Sequence, residues 1–171
     1  MGIHWKRSGI LFLVTTVAGV LLHFVYEWLP VWPVALFSPV NESLWEHVKL
    51  LFWPYLLASL YLHKKEGWAL RPRLLCVLLM CAVMLGLAFW YHILLGGESM
   101  AADVCLYLLM MAGGFALPCF LQGPYEGRGW GLVGPLAVLL AGLIVLFTFW
   151  PPDHILFLDL TGANTWSQIP C

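Results

Sequence analysis

The run Val40-Asn-Glu-Ser-Leu-Trp-Glu-His-Val-Lys49 is followed at once by a short apolar stretch, Leu50 to Leu62. A straight spanning helix needs about 20 apolar residues to cross about 30 Å of hydrocarbon. The stretch from Leu50 covers only about 20 Å at the α-helical rise, and His63-Lys64-Lys65 closes its far end. A helix that crosses here must recruit Glu42–Lys49 into the outer part of the bilayer. That reading places two carboxylates, an imidazole and an ammonium at membrane depth. Such groups are costly there and mark a site or a water-filled cavity.

The composition around this run agrees with a bilayer setting. Of 171 residues, 62% are hydrophobic and 10% charged, and the mean hydropathy is +0.88. Soluble domains carry about 25% charged residues. The expected class is all-α: a polytopic membrane protein with five transmembrane helices in a single domain, 1–171. Apolar segments place these helices at about 9–29, 42–62, 74–95, 101–121 and 131–150, with an external tail at 151–171. Asn41 reads as the N-cap of the second helix, and Pro54 predicts a kink in it.

Basic residues set the orientation. Lys6, Arg7, Lys64, Lys65, Arg71, Arg73 and Arg128 fall on one side of a five-helix alternation, leaving only Lys49 on the other. The N-terminus is then cytoplasmic and the C-terminus external. Seven of the nine acidic residues, all but Glu66 and Glu126, and four histidines, His23, His47, His92 and His154, gather toward the external half. Cys76 and Cys81 read as small hydrophobes. A Cys105–Cys171 pair is compatible with the topology, though no spacing supports it.

The polar residues suggest chemistry. Thr16, Gly19, His23 and Glu27 form one helical stripe. Glu42, Glu46 and Lys49 would share a helical face, with Ser43 and His47 on an adjacent one. Two carboxylates one turn apart repel unless a proton or cation lies between them. His23, His47, His92, His154 and Asp103 form a candidate ligand set for a divalent metal, zinc above all, because imidazole and carboxylate are its donors. Glu46 or Glu42 would then act as general base toward a metal-bound water. Glu27, Asn41, Ser43 and Lys49 complete the polar site. Neither a nucleophile elbow nor a dinucleotide fingerprint is present, and nothing supports nucleic-acid binding.

The segment Phe37-Ser-Pro-Val-Asn-Glu-Ser-Leu-Trp-Glu-His-Val-Lys-Leu-Leu-Phe-Trp-Pro54 resembles the signature of a family of small bacterial integral membrane proteins classed as a domain of unknown function. Leu22-His-Phe-Val-Tyr-Glu-Trp28 and Phe157-Leu-Asp-Leu-Thr-Gly162 resemble further features of it. The resemblance implies a multi-pass helical fold in a bacterial cytoplasmic membrane, and no activity.

Three functions stay open on the residues alone. One is a metal-dependent hydrolase acting on a lipid or membrane-linked substrate. Another is a small ion-coupled transporter, for which five helices per chain would call for a homodimer. The third is a non-catalytic assembly or sensor subunit whose polar cluster staples the bundle. Membrane lipids are expected partners in each.

Overall fold

The computed structural model describes residues 2–121 and 123–161, with side-chain surroundings from residue 7 onward. Within these residues the chain is all-helical, with no strand. The helices are α1 (Gly2–Trp28), α2 (Trp32–Ala35), α3 (Val48–Glu66), α4 (Leu70–Ala88), α5 (Met100–Phe120) and α6 (Arg128–Phe149). α4 runs on into a π-helical turn, Phe89–Leu94, and a 3₁₀ turn, Ile155–Phe157, follows α6. Cys171 and the end of the tail lie outside the described residues.

Four stretches are long and apolar enough to cross a membrane: Arg7–Trp28, Leu70–Leu94, Met100–Phe120 and Arg128–Phe149. Their outward faces are apolar too, with Leu13 61%, Leu109 65% and Val138 73% exposed. Helices apolar on every side have lipid for a solvent. α3 is the exception in composition and the centre in space. It packs on α1, α4 and α5, while α6 packs on α4. Ten of its 19 residues are buried, and Leu51, Phe52 and Tyr55 meet Val77 and Met80 of α4, Phe115 of α5 and Ile144 of α6 in one core.

The second helix begins later than its sequence suggests. Residues 44–47 form a turn, and α3 starts at Val48 with His47 at the N-cap position. Side chains here bond to nearby backbone and so compete with the helix. Asn41 Oδ1 accepts from the Ser43 amide at 3.1 Å, so Asn41 shapes a turn instead of capping a helix. Glu42, Glu46 and Lys49 consequently share no helical face. α3 continues as one helix through Pro54. It ends at Gly67, whose φ of 69° takes the left-handed cap conformation and whose amide bonds to the His63 carbonyl at 3.1 Å.

Two prolines inside helices fix how the bundle docks. Proline lacks an N–H, so the carbonyl four residues earlier loses its helix partner. Pro54 frees the Leu50 carbonyl, which lies where a Cβ at Gly19 of α1 would be only 2.6 Å away. The bare glycine lets the helices close to this distance. The Tyr107 hydroxyl of α5 reaches the same place and donates to the Thr16 carbonyl at 2.9 Å. In α5, Pro118 frees the Gly114 carbonyl, and the buried Tyr55 hydroxyl of α3 donates to it at 2.5 Å.

Tyr55→Phe should leave the Gly114 carbonyl without a donor and cost about 1–3 kcal/mol. Adding Pro118→Ala restores a backbone N–H for that carbonyl and should recover most of the loss. Thermal unfolding in detergent checks this; equal losses in the single and double variants would contradict it.

Candidate metal centre

The site is built on a loop that a buried lysine holds in place. Lys49 has no exposed surface. Its Nζ donates to the Ala35 carbonyl at 2.8 Å, the Ser38 carbonyl at 3.3 Å and Glu46 Oε2 at 2.5 Å. An ammonium has three protons, and all three are used. The same Glu46 oxygen accepts from the Val40 amide at 2.9 Å. Trp53 Nε1 adds a bond to the Leu36 carbonyl at 3.0 Å.

The loop then grips α1. The buried Ser38 hydroxyl donates to the Leu22 carbonyl at 2.5 Å and accepts from the Tyr26 amide at 3.0 Å. A helix ordinarily joins that donor and acceptor directly. The gripped turn carries His23. At the other end of the loop, His47 Nδ1 bonds to the Ser43 carbonyl at 2.8 Å. A carbonyl only accepts, so Nδ1 carries the proton and Nε2 is the nitrogen that faces the site.

Three side chains meet as a result. Glu42 Oε1 lies 3.6 Å from His23 Nε2, and Glu42 Oε2 lies 3.2 Å from His47 Nε2. The imidazoles are 5.5 Å apart between centroids. One donor atom from each of His23, Glu42 and His47 lies within 4.8 Å of the others, so the group could hold a metal ion. Two of the half-buried trio, His23 and Glu42, border a cleft of about 340 Å³, which they line with Tyr26, Glu27, Pro30, Pro39, Val40 and Asn41.

The other sequence-expected residues fall elsewhere or serve the frame. Glu46, expected as a base, is 3% exposed and paired with Lys49. Glu42, the other expected base, stands among the donors. Asn41 and Glu27 line the cleft. Ser43 is buried and holds His47 through its carbonyl. His92 and Asp103 pair with each other, Nε2 to Oδ1 at 2.8 Å, while His92 Nδ1 faces the Gly97 carbonyl at 2.7 Å. Each His92 nitrogen is thus engaged within this pair and its turn. His154 Nδ1 accepts from the Leu156 amide at 3.3 Å, which ties it to the 3₁₀ turn. None of these three belongs to the trio.

Two contributors lie in the family-like segments but carry no chemical signal of their own. Ser38 is an ordinary loop serine until the fold sets it against α1. Asp159 approaches through the tail, where the Trp45 amide bonds to the Leu156 carbonyl at 3.0 Å. Thr161 holds Asp159 Oδ1 through its amide at 3.0 Å and its hydroxyl at 2.7 Å. The Asp159 charge acts on Glu42.

The trio is electrostatically coupled. Glu42 lies below its ordinary 4.5, because the bond from His47 and the charges of both histidines outweigh burial and Asp159. Burial pushes His47 down, but bonds to Glu42 and Ser43 and the charges of Glu42 and Asp103 win, so it lies above 6.5. A carboxylate and a lone pair facing each other at 3.2 Å call for a proton or a cation between them.

These features define an all-helical bundle of membrane-spanning character with a His–Glu–His cluster at a cleft. The chain belongs to a family of unknown function (DUF6512), whose model matches residues 3–165. No curated protein and no solved structure matches it.

The signs give a pH window for the metal-free protein. A raised His47 stabilises fully below 6.5 and loses that contribution as pH rises through its folded value. A lowered Glu42 contributes above 4.5 and loses it as pH falls through its own value. The contact should therefore be strongest between these limits. NMR titration should place His47 above 6.5, and Glu42→Gln should lower it; an unchanged midpoint would contradict the coupling.

Proposed function

We propose that this protein is a metal-dependent hydrolase of the bacterial cytoplasmic membrane, with zinc as the ion and a lipid or membrane-linked molecule as substrate. One observation carries this reading: two imidazoles and a carboxylate converge within 4.8 Å beside an open cleft. Two histidines and a glutamate are a donor set of catalytic zinc, which keeps a position for water. The bound ion would lower the pKa of that water to about 7. Ser43 fixes the His47 tautomer, as outer partners of ligating histidines do. Glu27 lines the same cleft and takes the general-base role in place of Glu46, whose carboxylate Lys49 occupies.

Five spans with the N-terminus inside fit this site. α3 lies against α1 and is joined to it at both ends: Arg7 pairs with Glu66, and Ser38 and Glu42 join the loop before α3 to the His23 turn. A helix fastened to a spanning neighbour at both ends crosses the same depth. Its polar residues are tolerated because they are buried in protein and paired. The cluster then sits at the external end, opposite the basic loops.

Protein loaded with zinc at pH 7.5 and freed of excess should carry about one ion per chain by elemental analysis. His23→Ala and His47→Ala should lose it, and Glu27→Gln should keep it. Wild-type protein that binds no zinc under these conditions would contradict the metal reading. His→Ala variants that only melt earlier, with wild-type metal content, would favour the structural-staple role.

A further inference from the structure

We propose that a water molecule buried where α1 meets α3 and α5, held by Thr16, Leu50 and Tyr107, is the outer partner of His23 and orients its ring toward the metal centre. The bearing on the metal rests on the proposed zinc site; the water itself does not.

Thr16 gives the first sign. A hydroxyl inside a helix ordinarily donates to the carbonyl one turn back, as Thr148 does to Ile144 and Ser59 to Tyr55, each at 2.8 Å. Thr16 is 6% exposed, yet its Oγ1 has no partner among the described residues. A buried hydroxyl without a hydrogen bond is costly, so a polar group must meet it. His23 gives the second sign. Its Nε2 faces Glu42, while its Nδ1 is buried and has no partner among the described residues. A histidine that offers Nε2 to a metal carries its proton on Nδ1, and ligating histidines give that proton to an outer acceptor. His47 has the Ser43 carbonyl for this purpose; His23 has no equivalent.

The two orphans share one face of α1, with Gly19 between them. Side chains on a helix lean toward its N-terminus, so the His23 ring leans over the Gly19 turn. Two oxygens already stand there. A Cβ at Gly19 would lie 2.1 Å from the Tyr107 hydroxyl and 2.6 Å from the Leu50 carbonyl. Pro54 leaves that carbonyl without its helix donor. The Tyr107 hydroxyl gives its proton to the Thr16 carbonyl, so toward any other group it accepts. Thr16 Oγ1 and His23 Nδ1 therefore bring two protons, and Leu50 and Tyr107 bring two acceptors. One water accepts two hydrogen bonds and donates two, within the number that buried waters make. A cation in its place would confront the His23 proton, and an anion would confront two bare oxygens.

Thr16→Val tests this by sign, because it keeps the side-chain shape and removes the hydroxyl. Were Oγ1 to meet nothing, the change would be neutral or stabilising. With the water in place, full-length Thr16→Val in detergent should bind zinc about tenfold more weakly than wild type, the worth of one hydrogen bond, in competition with a chromogenic chelator. Thr16→Ser retains the hydroxyl and should keep wild-type affinity. Metal-free Thr16→Val should also melt at a lower temperature than metal-free wild type. Wild-type zinc affinity in Thr16→Val, with an equal or higher melting temperature, would overturn the proposal. Wild-type protein that binds no zinc would end the zinc reading alone. The metal-free melting comparison then decides the water: a lower value for Thr16→Val supports it, and an equal or higher one overturns it.

Discussion

An ammonium sealed away from water must have all its protons accepted, and that requirement on Lys49 organises the outer end of the molecule. Removing such a group from solvent costs several kcal/mol, which only well-placed partners offset. Lys49 finds two carbonyls and the Glu46 carboxylate. Those partners are spread from Ala35 to Glu46, so satisfying one side chain fixes a whole loop. The fixed loop holds Ser38 against α1, beside His23, and leads His47 and Glu42 to the same place. The charges that look catalytic in sequence thus divide into a frame and a face: Lys49 and Glu46 hold, while His23, Glu42 and His47 present.

A comparable economy operates deeper in the bundle. In an apolar surrounding every backbone carbonyl seeks a donor. Pro54 and Pro118 each free one, and each freed carbonyl lies at a helix junction. One rests against the bare backbone of Gly19, and the other accepts the Tyr55 hydroxyl. Removing a helix hydrogen bond thereby becomes a means of specifying which neighbour docks and how closely.

Much of this was legible before folding. Apolar length and the absence of charge identify α1, α4, α5 and α6, because lipid demands little else of a sequence. The density of polar residues in Asn41–Lys49 marks the loop in which Glu42, Glu46, His47 and Lys49 find their partners. The start of α3 was not legible, because Asn41 and Ser43 direct their side chains to local backbone, a competition that periodicity does not register. The partition of the carboxylates was hidden for a different reason. Glu42 and Glu46 look alike in sequence, and only the path of the loop turns Glu46 inward to Lys49 and Glu42 outward to the histidines. His92 and His154 share the composition of the site but are held by Asp103, Gly97 and the 3₁₀ turn. Ser38 acquires its role from tertiary placement alone.

The central claim is that the Lys49 ammonium holds the loop against α1, and amide hydrogen exchange measured by NMR tests it without reference to any metal. The Val40 and Tyr26 amides donate to Glu46 and Ser38 in this arrangement, whereas the Tyr55 amide belongs to the body of α3. In Lys49→Met, exchange at Val40 and Tyr26 should accelerate by more than about tenfold, the loss of one net hydrogen bond, with Tyr55 unchanged. A folded Lys49→Met protein in which Val40 and Tyr26 keep their wild-type protection would contradict the account.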